Sequence, residues 1–386
     1  LAPVEAGGPW AAYLAPVAEW AAGQAPYTRW ASRPAEACAE AVDEVVRTLT
    51  SAQRGWLVLG RLRGTEMGLA AERLARALQW PVFADIASGL RGESDPPFVP
   101  HFDRVLSCAA VQADCQPDVV LHIGGPLVSK HLLQSLGRVR PHLVQVTHHP
   151  TRQDPLHLGG LRIESNIPAF CHALAKALPA AGAAHPDLER LRKASDAVRA
   201  AVATHARGDG LSEIHVARAV AELAPEEGVL FMGNSMPIRD FDQYAPAVPA
   251  LRRIAASRGA SGIDGNIATA AGFATAADTV VTAVLGDLAV LHDLTSLALL
   301  QQTPGRMVLV VINNNGGGIF SMLPIAQHGG PFERFFGTPH DLSFAAAAEM
   351  FGLDYLAPIT HGEFVAAYRY ALVQPGSTLI EVQTDR

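Results

Sequence analysis

The chain alternates between short apolar runs and spans long enough for one helix, and it does so from end to end. A first series of strand-like runs covers residues 56–60, 81–85, 118–124 and 142–147, with helical spans at 34–50 and 65–79. A second series covers 228–233, 253–256, 279–287, 307–313 and 378–382, with helices expected near 212–223, 266–276, 291–302, 343–351 and 362–373. Strands apolar on both faces need cover on both faces, and a helix between consecutive parallel strands supplies it by a right-handed crossover. The fold class is therefore α/β, with two doubly wound parallel sheets.

Length agrees with two domains, since 386 residues divide into two units of roughly 100–200 residues each. Four segments are expected. Residues 1–33, with Pro3, Pro9, Pro16 and Pro26 among Trp10, Tyr13, Trp20 and Trp30, read as an irregular linker or strap. Residues 34–179 form a central Rossmann-like domain, 180–207 an Ala-rich charged connector helix, and 208–386 a second α/β domain. A hydrophobic share of 49% against 17% charged residues excludes disorder. The net charge of −7 gives no bulk attraction to nucleic acid or an anionic membrane, so an anionic ligand must be caught locally. The apolar run at 307–312 is a strand's length, far short of the roughly 20 residues that cross a bilayer, and the chain reads as soluble, without membrane insertion. Its four cysteines, at 38, 108, 115 and 171, form no CxxC pair, which fits a reducing compartment. No HExxH marks a zinc site among the histidines, and Gly124-Gly125 lacks the rest of a dinucleotide loop.

The chemistry concentrates at two strand ends. Gly286-Asp287-Leu288 closes one run and Asn313-Asn314-Asn315-Gly316-Gly317-Gly318 the next, with Asn314 27 positions after Asp287, room for one crossover helix. Both ends then open on the same edge of the sheet, where ligands of open α/β sheets bind. Asp and Asn often merely end strands, so it is the pair at this spacing that points to a site. A carboxylate, an amide oxygen and a backbone carbonyl at Gly316 make a hard oxygen site suited to Mg²⁺ completed by phosphate oxygens and water. Nearby glycines let a diphosphate approach the backbone. Arg239 and Arg258 follow two other strand ends, where a planar guanidinium can grip a carboxylate with two parallel hydrogen bonds.

Gly-Asp, a crossover helix and Asn-Asn together resemble the metal and diphosphate motif of thiamine diphosphate enzymes. The wider context of residues 233–239, 257–265, 286–288 and 313–320 is similar to the 2-succinyl-5-enolpyruvyl-6-hydroxy-3-cyclohexene-1-carboxylate synthases of menaquinone and phylloquinone biosynthesis. Leu288, where thiamine enzymes in general carry Gly, favours this branch. The resemblance implies a transferase, a carboligase that decarboxylates 2-oxoglutarate and adds the remaining fragment in a 1,4 sense to isochorismate. It implies thiamine diphosphate and Mg²⁺, with Mn²⁺ possible, the metal on Asp287, Asn314 and the Gly316 carbonyl. Gly286, Leu288, Gly317, Ser261 and Ile263 would contact the cofactor, and Ile319 would wedge it into a bent shape. Phe320 and Leu323 would line the substrate cavity, while Arg239, Arg258, Ser235 and Lys130 would reach substrate.

In that family a Glu on a preceding pyrimidine-binding domain activates the cofactor. No residue here matches it, and that domain is expected upstream of Leu1, supplied within a homodimer or homotetramer by a second subunit. The implied compartment is the bacterial cytoplasm or a plastid stroma. Two other readings stay open: another thiamine enzyme acting on 2-oxoacids, such as an acetolactate synthase or a decarboxylase, and a non-catalytic module that retains the cofactor-binding half.

Overall fold

The structure is a computed structural model and describes residues 8, 11–23, 37–152, 154–179, 185–277 and 279–385. The chain separates into two compact units, Leu1–Ala35 and Glu36–Arg386. Of the first, the described part is helical rather than irregular: Ala11–Leu14 and Ala18–Ala21 are α-helical turns joined by the 3₁₀ turn Ala15–Val17. Alanine favours helix, and Pro16, which cannot donate a backbone bond, tightens the junction. The rest of the expected strap, Trp10 and Trp30 included, lies outside the described residues.

The second unit holds two all-parallel sheets. Strands β1 (Gly55–Leu59), β2 (Val82–Ala84), β3 (Val119–Ile123), β4 (His142–Thr147) and β5 (Leu161–Glu164) stand in the order β2-β1-β3-β4-β5. One face packs on the helices Ala39–Ser51, Gly64–Leu78 and Ile167–Ala177, through Val45, Leu74 and Phe170. The other packs on Phe102–Val105, Lys130–Val139 and Leu188–His205, through Phe102, Leu136 and Leu191. The second sheet is made of β6 (Val229–Met232), β7 (Ile254–Ala255), β8 (Val281–Gly286), β9 (Met307–Asn313), β10 (Asp354–Leu356) and β11 (Thr378–Gln383), in the order β10-β11-β9-β8-β6-β7. The helix after β6, Met236–Tyr244, covers one face with Glu213–Leu223 and His361–Val373. The short helix after β8, Asp287–His292, lies on the other face with Asn266–Ala276 and Ala345–Met350. Successive crossovers therefore part to opposite faces between β6 and β8, which makes that point the crevice where a ligand is received.

The helix expected at 291–302 is broken into Asp287–His292, a 3₁₀ stretch Leu294–Ala298 and Leu299–Gln302. Asp293 sits at the break because its Oδ2 accepts the Ile267 and Ala268 N–H groups at 2.6 and 3.2 Å, satisfying the start of the neighbouring helix. Among the described residues no helix is long and apolar enough to cross a membrane.

A buried polar seam joins the two sheets. The Arg91 guanidinium, 2% exposed, donates from Nη2 to the carbonyls of Asp242 and Ala245 at 2.9 and 3.3 Å, and its Nε lies 3.9 Å from the Asp242 carboxylate. Asp242 in turn accepts the Ile86 N–H at 3.1 Å, and Asp85, ending β2, accepts the Val128 N–H at 2.6 Å. Burial, and then the nearby Asp85 carboxylate, push Asp242 well above the ordinary carboxylate range. The ring of His101 reaches the Gln243 carbonyl at 2.9 Å and is lowered to about 4, by burial first and by Arg91 second. Arg91→Met removes the donors that neutralise this seam. It is expected to lower unfolding stability by about 3–5 kcal/mol in urea titrations, whereas Arg76→Met, at an exposed ion pair, should cost less than about 1 kcal/mol.

Candidate cofactor and substrate site

Parallel pairing sets Gly286 opposite Ile312, so the residues that follow β8 and β9 leave the sheet side by side. Asp287 begins its helix at the end of β8 and is 2% exposed. Its Oδ2 accepts the Gly316 N–H at 2.8 Å and the His340 Nε2 hydrogen at 3.1 Å, and its Oδ1 accepts the Leu288 N–H at 2.6 Å.

The three asparagines after β9 divide their work. Asn313 turns into the protein, donating to the Leu342 carbonyl at 2.9 Å and to Glu381 at 2.7 Å. Asn315, in the left-handed region at φ 59°, donates to Asp341 at 2.8 Å. Between them Asn314 faces the cavity, and its Oδ1 is buried without a hydrogen-bond partner. A buried amide oxygen with no donor is short of about 1–3 kcal/mol until an electropositive group meets it. With one lone pair of Asp287 Oδ1 also left open, the donor set fits a hard divalent cation.

Gly316 has φ 124°, and a Cβ there would lie 2.0 Å from the Gly337 carbonyl oxygen; one at Gly317 would lie 2.1 Å from that of Phe336. These glycines thus admit the backbone of residues 336–337 on one side while offering bare backbone to a ligand on the other. The Gly317 N–H closes the contact by donating to Gly337 at 2.7 Å.

The opposite wall comes from β6 and β7. Asn234 donates to the carbonyls of Ser257 and Gly262 at 3.0 and 2.8 Å, and its Oδ1 accepts from Arg258 at 2.9 Å, so one amide fixes both the loop and the guanidinium. Ser235 takes φ 71°, and Arg239 bonds its carbonyl. Burial, then the neighbouring Arg239 cation, lower the Arg258 pKa from its ordinary value. Among the described residues neither guanidinium has a carboxylate within 4.0 Å. Asp85 offsets part of the Arg258 charge from farther off, and two cations on one wall with no carboxylate paired to them favour an anion.

These walls enclose a cavity of about 370 Å³. Of the sequence-predicted residues, Ser235, Arg239, Arg258, Ser261 and Ile263 line it from the β6 and β7 ends, and Gly286, Asp287 and Leu288 from the β8 end. Asn314, Gly316, Gly317, Ile319 and Phe320 complete it from the β9 end. Two are not brought to it. Lys130 is exposed at the first position of its helix, where the preceding Ser129 caps and Asp103 bonds Ser129 and His131. Leu323 is 43% exposed beyond the 3₁₀ turn Gly318–Met322. Sequence reasoning passed over Asn234 and His340. Asn234 stands at a strand end like the others and was open to the same argument; His340, 53 positions beyond Asp287, carries no local signal.

Residues 11–232 match the family model described as "Middle domain of thiamine pyrophosphate", and residues 239–382 match the "Thiamine pyrophosphate enzyme, C-terminal TPP binding domain". The chain belongs to the thiamine pyrophosphate enzyme family. Among its relatives, a protein of Rubrobacter xylanophilus named 2-succinyl-5-enolpyruvyl-6-hydroxy-3-cyclohexene-1-carboxylate synthase is 47% identical over 351 residues, covering 89% of this chain and 60% of its own length. Proteins of the same name from Chlorobium chlorochromatii and Chlorobaculum tepidum are 40% and 38% identical over 88% and 98% of this chain, and 58% and 64% of their own lengths. The chain thus spans about 60% of the length of these relatives. An X-ray structure described as a thiamin diphosphate-dependent enzyme from Mycobacterium smegmatis shares the fold, with a TM-score of 0.68 and 20% identity over 95% of this chain and 68% of that one.

The glycine cradle gives a direct test. Gly316→Ala combines a left-handed φ with a backbone clash and is expected to lower stability by more than about 1 kcal/mol in thermal unfolding, with faster amide exchange over residues 333–338. Gly286→Ala, with φ −78° and nothing within 4 Å of a new Cβ, should leave both unchanged.

Proposed function

We propose that this chain is the middle and diphosphate-binding part of a 2-succinyl-5-enolpyruvyl-6-hydroxy-3-cyclohexene-1-carboxylate synthase, a transferase acting on 2-oxoglutarate and isochorismate. The observation that carries the reading is the joint placement, on one cavity, of Asp287, Asn314 with its unpartnered amide oxygen, and two arginines that form no ion pair among the described residues. The names of the relatives support the choice of substrates. The proposed partition is a linker at 1–33, a central domain at 34–179, a connector at 180–207 and a diphosphate domain at 208–386. Assembly as a homodimer or homotetramer belongs to the same proposal.

In this reading Asp287, Asn314 and the Gly316 carbonyl hold Mg²⁺, for which Mn²⁺ can substitute, and the bare backbone at Gly316 and Gly317 receives the diphosphate. Thiamine diphosphate, when bound, supplies the electron sink for loss of CO₂ from a 2-oxoacid and for the new carbon–carbon bond. The protein supplies position and charge. Gly286, Leu288, Ser261 and Ile263 would shape the cofactor's bed, and Ile319, on the same cavity, would hold it bent. Arg239 and Arg258 hold substrate carboxylates as planar forks, with Ser235 beside them, and both are set by bonds already made to Ser235 and Asn234. Such pre-set donors need no reorganisation when charge develops. Phe320 completes the substrate side, and Lys130 and Leu323, which the family resemblance also assigns to substrate, stand outside this cavity.

The polypeptide expressed from the complete coding sequence, given thiamine diphosphate, Mg²⁺, 2-oxoglutarate and isochorismate, is expected to release CO₂ and form the six-membered-ring carboxylate product, read by mass spectrometry. Efficient turnover of pyruvate with no product from isochorismate would replace this reading with another 2-oxoacid enzyme. In the same polypeptide Arg258→Lys keeps the charge but loses the fork. The apparent affinity for 2-oxoglutarate or isochorismate should fall about tenfold while calorimetric affinity for thiamine diphosphate holds. Equal loss of both would make Arg258 a structural residue.

A further inference from the structure

His340 holds the carboxylate at the centre of the site. The Leu342 N–H donates to its Nδ1 at 3.0 Å, which leaves the ring hydrogen on Nε2, and that hydrogen goes to Asp287 Oδ2 at 3.1 Å. The histidine is itself anchored: the backbone N–H groups of His340 and Asp341 both donate to Asn315 Oδ1 at 2.9 Å. Its side chain is 11% exposed. Because Oδ2 also receives the Gly316 N–H, both of its lone pairs are engaged. Oδ1 receives only the Leu288 N–H and keeps one lone pair, and Asp287 shares the lining of the cavity with Asn314, whose buried Oδ1 has no partner.

We propose that His340 is a positioning residue that restricts Asp287 to one-oxygen coordination and so sets the site's preference for a small octahedral cation, Mg²⁺ or Mn²⁺, over Ca²⁺. This rests on the proposed assignment of Asp287 as a metal ligand. Mg²⁺ demands a near-ideal octahedron, which the narrow bite of a two-oxygen carboxylate distorts, whereas Ca²⁺ takes six to eight oxygens and accepts that bite readily. A donor fixed on Oδ2 withholds the second oxygen. Partners that orient a ligand from outside typically carry a 10- to 100-fold effect on metal affinity.

The test is calorimetric titration of thiamine diphosphate into the protein with Mg²⁺ or with Ca²⁺, backed by electron paramagnetic resonance of bound Mn²⁺, which needs no turnover. His340→Ala is expected to weaken Mg²⁺-supported binding about tenfold or more and Ca²⁺-supported binding less, so the Mg²⁺:Ca²⁺ preference falls and the Mn²⁺ spectrum changes. His340→Gln, whose amide hydrogen can reach Oδ2, should restore most of the preference. An unchanged preference in His340→Ala, whatever happens to its melting temperature, overturns the inference, and so does failure of His340→Gln to recover it. If Asp287→Ala keeps full metal-supported binding, the ligand assignment falls and the inference with it; loss there combined with an indifferent His340→Ala removes the inference alone.

Discussion

The pairing of β8 with β9 determines where the next side chain on each strand can go. With Gly286 opposite Ile312, Asp287 and Asn314 emerge on neighbouring strands at the edge where the chain parts to opposite faces of the sheet. A slip of one residue would send every alternate side chain to the other face, which the two apolar cores on either side forbid. The site therefore inherits its precision from the core: Val284, Leu285, Val311 and Ile312 cannot shift without unburying themselves. Glu381 tightens the same arrangement from the next strand, since its carboxylate binds Asn313, Ser343, Tyr355 and the Phe344 N–H together.

The second constraint is electrostatic and lies between the sheets. The buried Asp85 carboxylate disfavours the ionised form of Asp242, and Arg91 answers both acids while binding two backbone carbonyls. A seam of this kind contributes little net stability compared with apolar packing, but it tolerates one mutual arrangement far better than any other. Since Asp85 also binds the loop before the helix Lys130–Val139, and Asp242 lies on the helix that carries Arg239, the seam fixes elements near the cavity.

Much of this was legible in the sequence because the central strands are apolar on both faces and bounded by Gly, Asp or Asn. Two of the four edge strands were not: β5 and β10 are short, largely unburied and include Arg162, Glu164 and Asp354, a pattern no different from a loop. The helix at 291–302 reads as continuous until Asp293 is seen serving another helix. The cavity-lining residues were readable wherever they followed a strand end. His340 and the carbonyls of Phe336 and Gly337 were not, because they come from a segment placed by tertiary packing rather than by periodicity. Lys130 and Leu323 entered only through family resemblance, and neither lines the cavity described here.

The paired arginines have a practical consequence for handling this protein. Arg239 on the helix after β6 and Arg258 on the loop after β7 repel each other, and a small dianion bound between them would stabilise the folded chain by an amount that grows with the logarithm of its concentration over its dissociation constant. Sulfate and hydrogen phosphate are dianions of this kind. The choice of buffer salt would then be a choice of ligand: with such an anion in place, a melting curve recorded in phosphate and one recorded in a zwitterionic buffer would describe two different species.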